Sequence, residues 1–132
     1  MSIFSKVKQL NLPKGEYAVF GSGVLEAHKI RKAKDVDLAV SKNLFFKLKN
    51  EGWEPSEKNP EEIIAKGEYE AFYKFTSKNY NPNVPSLIKN AELINGIPFV
   101  QLEETIKFKK ALGRPKDLID LKLIEKYLKY KP

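Results

Sequence analysis

Apolar residues along this chain fall into short runs whose spacing switches between the two periods of regular structure. "EYAVF" (16–20) is a continuous β-rich run bounded by Gly15 and Gly21 and predicts a buried strand. "VLEAHKIRK" (24–32) sets Val24, Leu25 and His28, with Arg31 further on, along one helical side, so a short helix follows, with Ser22 placed to cap it. "DVDLAV" (35–40) changes period: residues 36, 38 and 40 point one way, and Asp35, Asp37 and Ala39 the other. This predicts a strand with one face in the core and one face carrying two carboxylates. Ser41 or Asn43 then caps a second helix, "LFFKLKNEG", which ends at Gly52.

Trp53 opens an irregular or weakly extended stretch holding Pro55 and Pro60. "EEIIAKGEYEAFYKF" (61–75) reads as two extended pieces meeting near Gly67, the second alternating Glu68, Glu70 and Phe72 against Tyr69, Ala71 and Tyr73. A turn-rich segment (76–85) leads to one or two helical turns in "SLIKN", and Asn95-Gly96 between apolar flanks predicts a hairpin. The last third is a helical pair: "LEETIKFKKAL" stops at Gly113, and Pro115 starts "PKDLIDLKLIEKYLKY" where its missing amide proton does no harm. Leu118, Leu121, Ile124 and Leu128, with Ile106 and Leu112, form stripes that need a partner surface.

Length and composition narrow the chemistry. The 132 residues suit one domain, 1–132, able to hold its own core. With no cysteine, thiolate metal sites and cysteine nucleophiles are excluded, and the single histidine, His28, argues against zinc and Ser-His-Asp catalysis. No apolar run is long enough for a membrane span, and "MSIFSKVKQLNLPKG" lacks the apolar core of a secretory signal, so the expected setting is cytoplasmic, with no membrane partner. The net charge of +7 favours an anionic partner without identifying it, because the lysines are spread along the chain and only Arg31 and Arg114 are arginine.

Asp35 and Asp37 carry the sharpest signal. Two positions apart on a strand, they share a face with α-carbons ~6.6 Å apart, and their charges repel unless a cation stands between them. Magnesium, which is held by one or two carboxylates plus phosphates and waters, resolves that conflict. About a dozen residues upstream, Gly21 and Gly23 allow backbone amides to approach a phosphate closely, and Ser22 can bond a phosphate oxygen. Taken singly, a Gly-Ser-Gly is also a plain strand-to-helix turn, and an Asp-x-Asp is also a solvated sheet face. Their order and spacing fit one short helix and a turn that return the second strand beside the first, so that the two elements together hold a metal nucleotide.

At this point the residues resemble a known group. "GSGVLEAHKIRKAKDVDL" is similar to the signature of the minimal nucleotidyltransferases of the DNA polymerase β-like superfamily, where a strand ends in Gly-Ser, a helix follows and Asp-x-Asp sits on the next strand. "INGIPFVQLEETIKFKKALGRPKDLIDLKLIEKYL" resembles the closing helices of the small members, including the abortive-infection-type enzymes, in which a Lys, an Arg-x-Lys-Asp and a further Asp recur. The resemblance implies an α+β fold with a mixed sheet flanked by helices, two magnesium ions, and transfer of a nucleoside monophosphate from a nucleoside triphosphate, ATP among them, to a hydroxyl. It also implies a third carboxylate on a later strand, for which Glu70 is the choice and Glu68 the reserve. Lys109 and Lys116 would neutralise triphosphate charge beside Arg114, while Asp117 and Asp120 orient those lysines or contact nucleotide; a solvated corner, with Asp117 favouring the helix start, is the other account of this turn. Arg31 is either a further phosphate ligand or a surface arginine.

The acceptor is then RNA such as a tRNA end, a protein partner as in toxin–antitoxin pairs, or a small hydroxylated molecule. Two readings from other classes stand beside this one: a catalytically degenerate module that binds nucleotide, RNA or a partner protein, and a small basic structural protein. His28, Trp53 and the aromatics at 69–75 are expected in packing roles.

Overall fold

Thirteen elements make up the computed structural model, which describes residues 1–131. They are α1 (Ile3–Gln9), β1 (Tyr17–Phe20), α2 (Ser22–Ala27), β2 (Val36–Val40), α3 (Lys42–Asn50), β3 (Glu54–Pro55), β4 (Ile63–Lys66), β5 (Tyr69–Phe72), α4 (Val84–Lys89), β6 (Glu92–Ile94), β7 (Ile97–Phe99), α5 (Leu102–Leu112) and α6 (Pro115–Tyr130). The class is α+β, and the strands form one mixed sheet in the order β3-β4-β5-β2-β1-β7-β6. β1 and β2 are antiparallel, whereas β2 runs parallel to β5 and β1 parallel to β7. Among the described residues, no helix is long and apolar enough to cross a membrane.

Register explains how the two faces are used. Val19 pairs with Leu38 and Leu38 with Ala71, so these side chains share one face. α1 covers it: Ile3 reaches the Val19 and Gly23 region, and the Tyr69 hydroxyl donates to the Lys6 carbonyl at 3.0 Å. On the other face Phe20 pairs with Asp37, Asp37 with Glu70, and Ala39 with Phe72. α5 lies over the apolar part of this second face, bringing Phe108 edge-on to Phe20 at 4.8 Å, and Phe75 and Tyr80 complete the aromatic layer. Ala39 is fully buried, so the face that alternation assigns to carboxylates is itself core except at the end where Asp37 and Glu70 stand.

Several local expectations meet their structural counterparts here. Ser41 caps α3, accepting from the Leu44 amide at 3.0 Å. Asn95 and Gly96 both have positive φ, 52° and 79°, as the tight hairpin turn between β6 and β7 requires. Gly113, at φ 57°, ends α5 in the left-handed conformation, and Pro115 opens α6.

Three differences have physical causes. α1 has no counterpart among the expected elements, although Ile3 and Val7, four apart and both buried, are its signal; Ser2 caps it, and the Glu26 carboxylate accepts from the Ile3 amide at 2.8 Å. α2 begins at Ser22 and ends at Ala27, with Gly21 in the cap position, so Ser22 is the first helical residue and not the cap. On α6 the leucine stripe is only partly used: Ile124 is buried, but Leu118 and Leu128 are exposed. The positions that turn inward beside Ile124 are Asp117 and Asp120, three apart, and the helix therefore docks through carboxylates as well as apolar surface.

Candidate active site

At the end of the sheet where β1 gives way to α2, a cavity of about 460 Å³ opens between the sheet and the α5–α6 corner. Gly21, Ser22, Asp35, Asp37, Glu70, Lys109, Arg114, Lys116 and Asp117 all line it, although they come from both ends of the chain. Gly23 does not: a β-carbon there would stand 2.5 Å from Val19 Cγ1 and 3.1 Å from Ile3 Cδ1, so its bareness serves the packing of α2 on the sheet. Glu68 is also elsewhere, paired with Lys6 at 3.4 Å. His28 lies away from the cavity with Nδ1 3.3 Å from the Tyr127 hydroxyl, in a packing role.

One wall is acidic. Asp37 and Glu70 are direct partners on adjacent parallel strands, so both carboxylates rise from the same face about 4.8 Å apart at the backbone. Asp35 stands at the exposed entry to β2. None of the three forms an ion pair within 4.0 Å among the described residues. Burial pushes the Asp37 carboxyl up to about 7, and the negative charges of Glu70 and Asp35 add to the shift; Lys58, across the mouth, opposes it. Gly21 gives this carboxyl room. A β-carbon on Gly21 would sit 3.2 Å from Asp37 Oδ2, and its φ of 66° is one that residues with side chains rarely adopt.

The opposite wall is a chain of ion pairs. Arg31 Nε donates to Asp120 Oδ1 at 2.6 Å and Nη2 to Oδ2 at 2.8 Å, while Lys109 Nζ donates to Asp120 Oδ2 at 2.9 Å. Lys109 also lies 3.7 Å from Asp117, which Arg114 Nε holds at 2.7 Å. The Arg114 amide donates to Asp117 Oδ2 at 3.1 Å, so this carboxylate closes the start of α6 as well as balancing the cations. Burial alone would raise Asp117 and Asp120; the Arg114 guanidinium overcomes it for Asp117, as Arg31 and Lys109 do for Asp120, and both carboxyls lie below the ordinary aspartate value. Two carboxylates meet three cations, one of them the buried Lys109, and Lys34, Lys58 and Lys116 surround the opening.

Between the walls lies an apolar floor of Phe20, Phe72, Phe75, Phe108, Ile63 and Leu112. The site thus combines an oxygen-only donor pair, a bare glycine turn, an aromatic floor and a basic wall. Among the described residues, no three acidic or histidine side chains are already gathered to hold a metal ion. The donor chemistry nevertheless suits a hard divalent cation: two neighbouring carboxylates, one of them driven upward by burial and mutual repulsion, have no cation of their own.

Some of these residues lie outside what spacing alone indicates. Lys58 and Asn59 reach the cavity from the loop after β3, and Phe108 from α5. Ser56, buried in the same loop, has its hydroxyl 3.4 Å from Glu70 Oε2 and touches the end of the acidic wall. No short-range motif marks a loop residue that folding carries to a distant strand, whereas Arg31 and Asp120 do stand out by residue type.

No protein-family model matches this chain, and no curated protein or solved structure matches it significantly.

Proposed function

We propose that this protein is a magnesium-dependent nucleotidyltransferase that moves a nucleoside monophosphate from a nucleoside triphosphate to a hydroxyl of RNA, such as a tRNA end, or of a protein partner, in the cytoplasm. The observation that carries the reading is the pairing of Asp37 with Glu70 on adjacent strands, in one cavity with Lys109, Arg114 and the Gly21–Ser22 turn.

Asp37 and Glu70, with Asp35 at the rim, would hold magnesium together with triphosphate oxygens and water. Once bound, the metal neutralises triphosphate charge and makes the acceptor hydroxyl more acidic. The chain's own residues do the rest. The Gly21–Ser22 turn approaches the phosphates without a side chain in the way, Lys109, Arg114 and Lys116 balance the charge of the departing pyrophosphate, and the phenylalanine floor receives the base. Transfer forms a bond from the acceptor oxygen to the α-phosphorus and breaks the bond from that phosphorus to pyrophosphate. The Glu70 carboxylate would accept the hydroxyl proton.

A second reading, a module of this fold that binds nucleotide, RNA or a partner protein without catalysis, draws support from the absence, among the described residues, of three carboxylates gathered at one point. Incubation with each α-labelled nucleoside triphosphate, magnesium and host RNA or lysate separates the two. Aspartate-dependent labelling of RNA or of one protein band is the result expected for a transferase, and its loss in Asp35→Ala/Asp37→Ala ties it to the acidic wall. Saturable nucleotide binding with no pyrophosphate release would leave the binding module.

A further inference from the structure

Arg31 lies in the connection between α2 and β2, and its guanidinium joins the start of α2 to α6. Four hydrogen bonds occupy its guanidinium: Nε and Nη2 to the two Asp120 oxygens, Nη2 also to Ser22 Oγ at 2.9 Å, and Nη1 to the Lys32 carbonyl at 2.8 Å. A guanidinium has five N–H donors, so one is left for any ligand. Its fork geometry is what makes the bridge possible, since a single ammonium cannot meet a carboxylate through two parallel bonds and a hydroxyl on the next element at once.

The consequence falls on Ser22. A hydroxyl has one proton and two lone pairs, and here a lone pair is taken by the guanidinium. The proton has no partner among the described residues, and the bond from a cation polarises it. Asp120 meanwhile holds Lys109 through the same oxygen that accepts from Arg31. One carboxylate therefore fixes the Lys109 ammonium of α5 and, through Arg31, the Ser22 hydroxyl of α2.

Building on the nucleotidyl-transfer reading, we propose that Arg31 is a positioning residue: a strut between Asp120 and Ser22 that holds the glycine turn in register with Lys109 and directs the Ser22 hydroxyl toward a phosphate oxygen. It acts through Ser22 and does not bind the phosphate.

The test is the affinity of magnesium and a non-hydrolysable nucleoside triphosphate analogue for the wild type, Arg31→Ala, Arg31→Lys, Ser22→Ala and the Arg31→Ala/Ser22→Ala double variant, by calorimetry at a temperature where each is folded. Each alanine variant should weaken binding on the order of tenfold, and the double variant should bind no more weakly than Arg31→Ala alone. Arg31→Lys should fail to restore affinity despite keeping the charge. A purely structural tie would lower melting temperature without coupling to Ser22. Additive losses in the double variant, or restored binding in Arg31→Lys, would overturn the strut while leaving the transferase reading in place. A wild type that binds no analogue would overturn that reading and the strut with it.

Discussion

Four aspartates face one cavity in two pairs, and they are held in opposite ways. Asp117 and Asp120, on α6, are buried against Lys109, Arg31 and Arg114, and their carboxyls lie below the ordinary value. Asp35 and Asp37, at the start of β2, have no paired cation among the described residues, and Asp37 is pushed up to about 7. The first pair is completed by the protein and serves to join helices. The second is left incomplete by the protein, at a cost to folding that a bound cation would remove. Residue type and spacing are nearly the same in both; what differs is whether the fold supplies the counter-charge.

The largest effect should come from breaking the completed pair. Asp120→Ala leaves the buried Lys109 ammonium short of its closest partner and frees Arg31, and urea denaturation should show a loss of about 3 kcal/mol. A loss below about 0.5 kcal/mol would mean that the network is incidental to stability.

The pH dependence of stability should separate the pairs within one wild-type curve. Asp37 holds its proton more tightly folded than unfolded, so its penalty is fully present above about pH 7 and is relieved as pH falls toward 3.8. Asp117 and Asp120 have depressed values, so the stability they contribute is present above the ordinary aspartate range and is lost as pH falls through their folded values. Urea midpoints should rise from pH 8 to about pH 5 and fall below about pH 4. The rising part should vanish in Asp37→Asn, and the acid limb should remain.

A smaller change should come from Lys58→Ala. Lys58 is exposed and is the cation that lowers Asp37, so its removal should move the Asp37 titration further upward, with stability changed by less than about 0.5 kcal/mol. An unchanged titration, followed by carboxyl NMR, would show that Lys58 does not sense the acidic wall.

How much of this was legible beforehand follows from the range of the interactions involved. Strands, the Asn95-Gly96 hairpin and the Gly113-Pro115 break depend on period and on local backbone preference, and the chain carries those signals within a few residues. Asp37 and Glu70 could be named as carboxylates on strands, but their direct pairing depends on a register between segments far apart in the chain, which alternation does not specify. The leucines of α6 misled for a related reason. Periodicity marks Leu118 and Leu128 as inward, whereas Asp120 is held inward by Arg31 and Lys109 from other elements and Asp117 by Arg114, the residue that caps the helix. Arg31 was legible as an unusual residue in a lysine-rich chain, but its partners, Ser22 and Asp120, were set by folding.

The most direct measurement is the melting temperature of the wild type and Asp37→Asn at pH 8, each without divalent metal and then with magnesium and a non-hydrolysable nucleoside triphosphate analogue. The account predicts that Asp37→Asn melts several degrees above the wild type in metal-free buffer, and that magnesium with the analogue raises the wild type while leaving the variant unmoved. A variant that is less stable without metal, or that gains as much as the wild type on adding magnesium and analogue, would contradict the assignment of the acidic wall as a cation and nucleotide site.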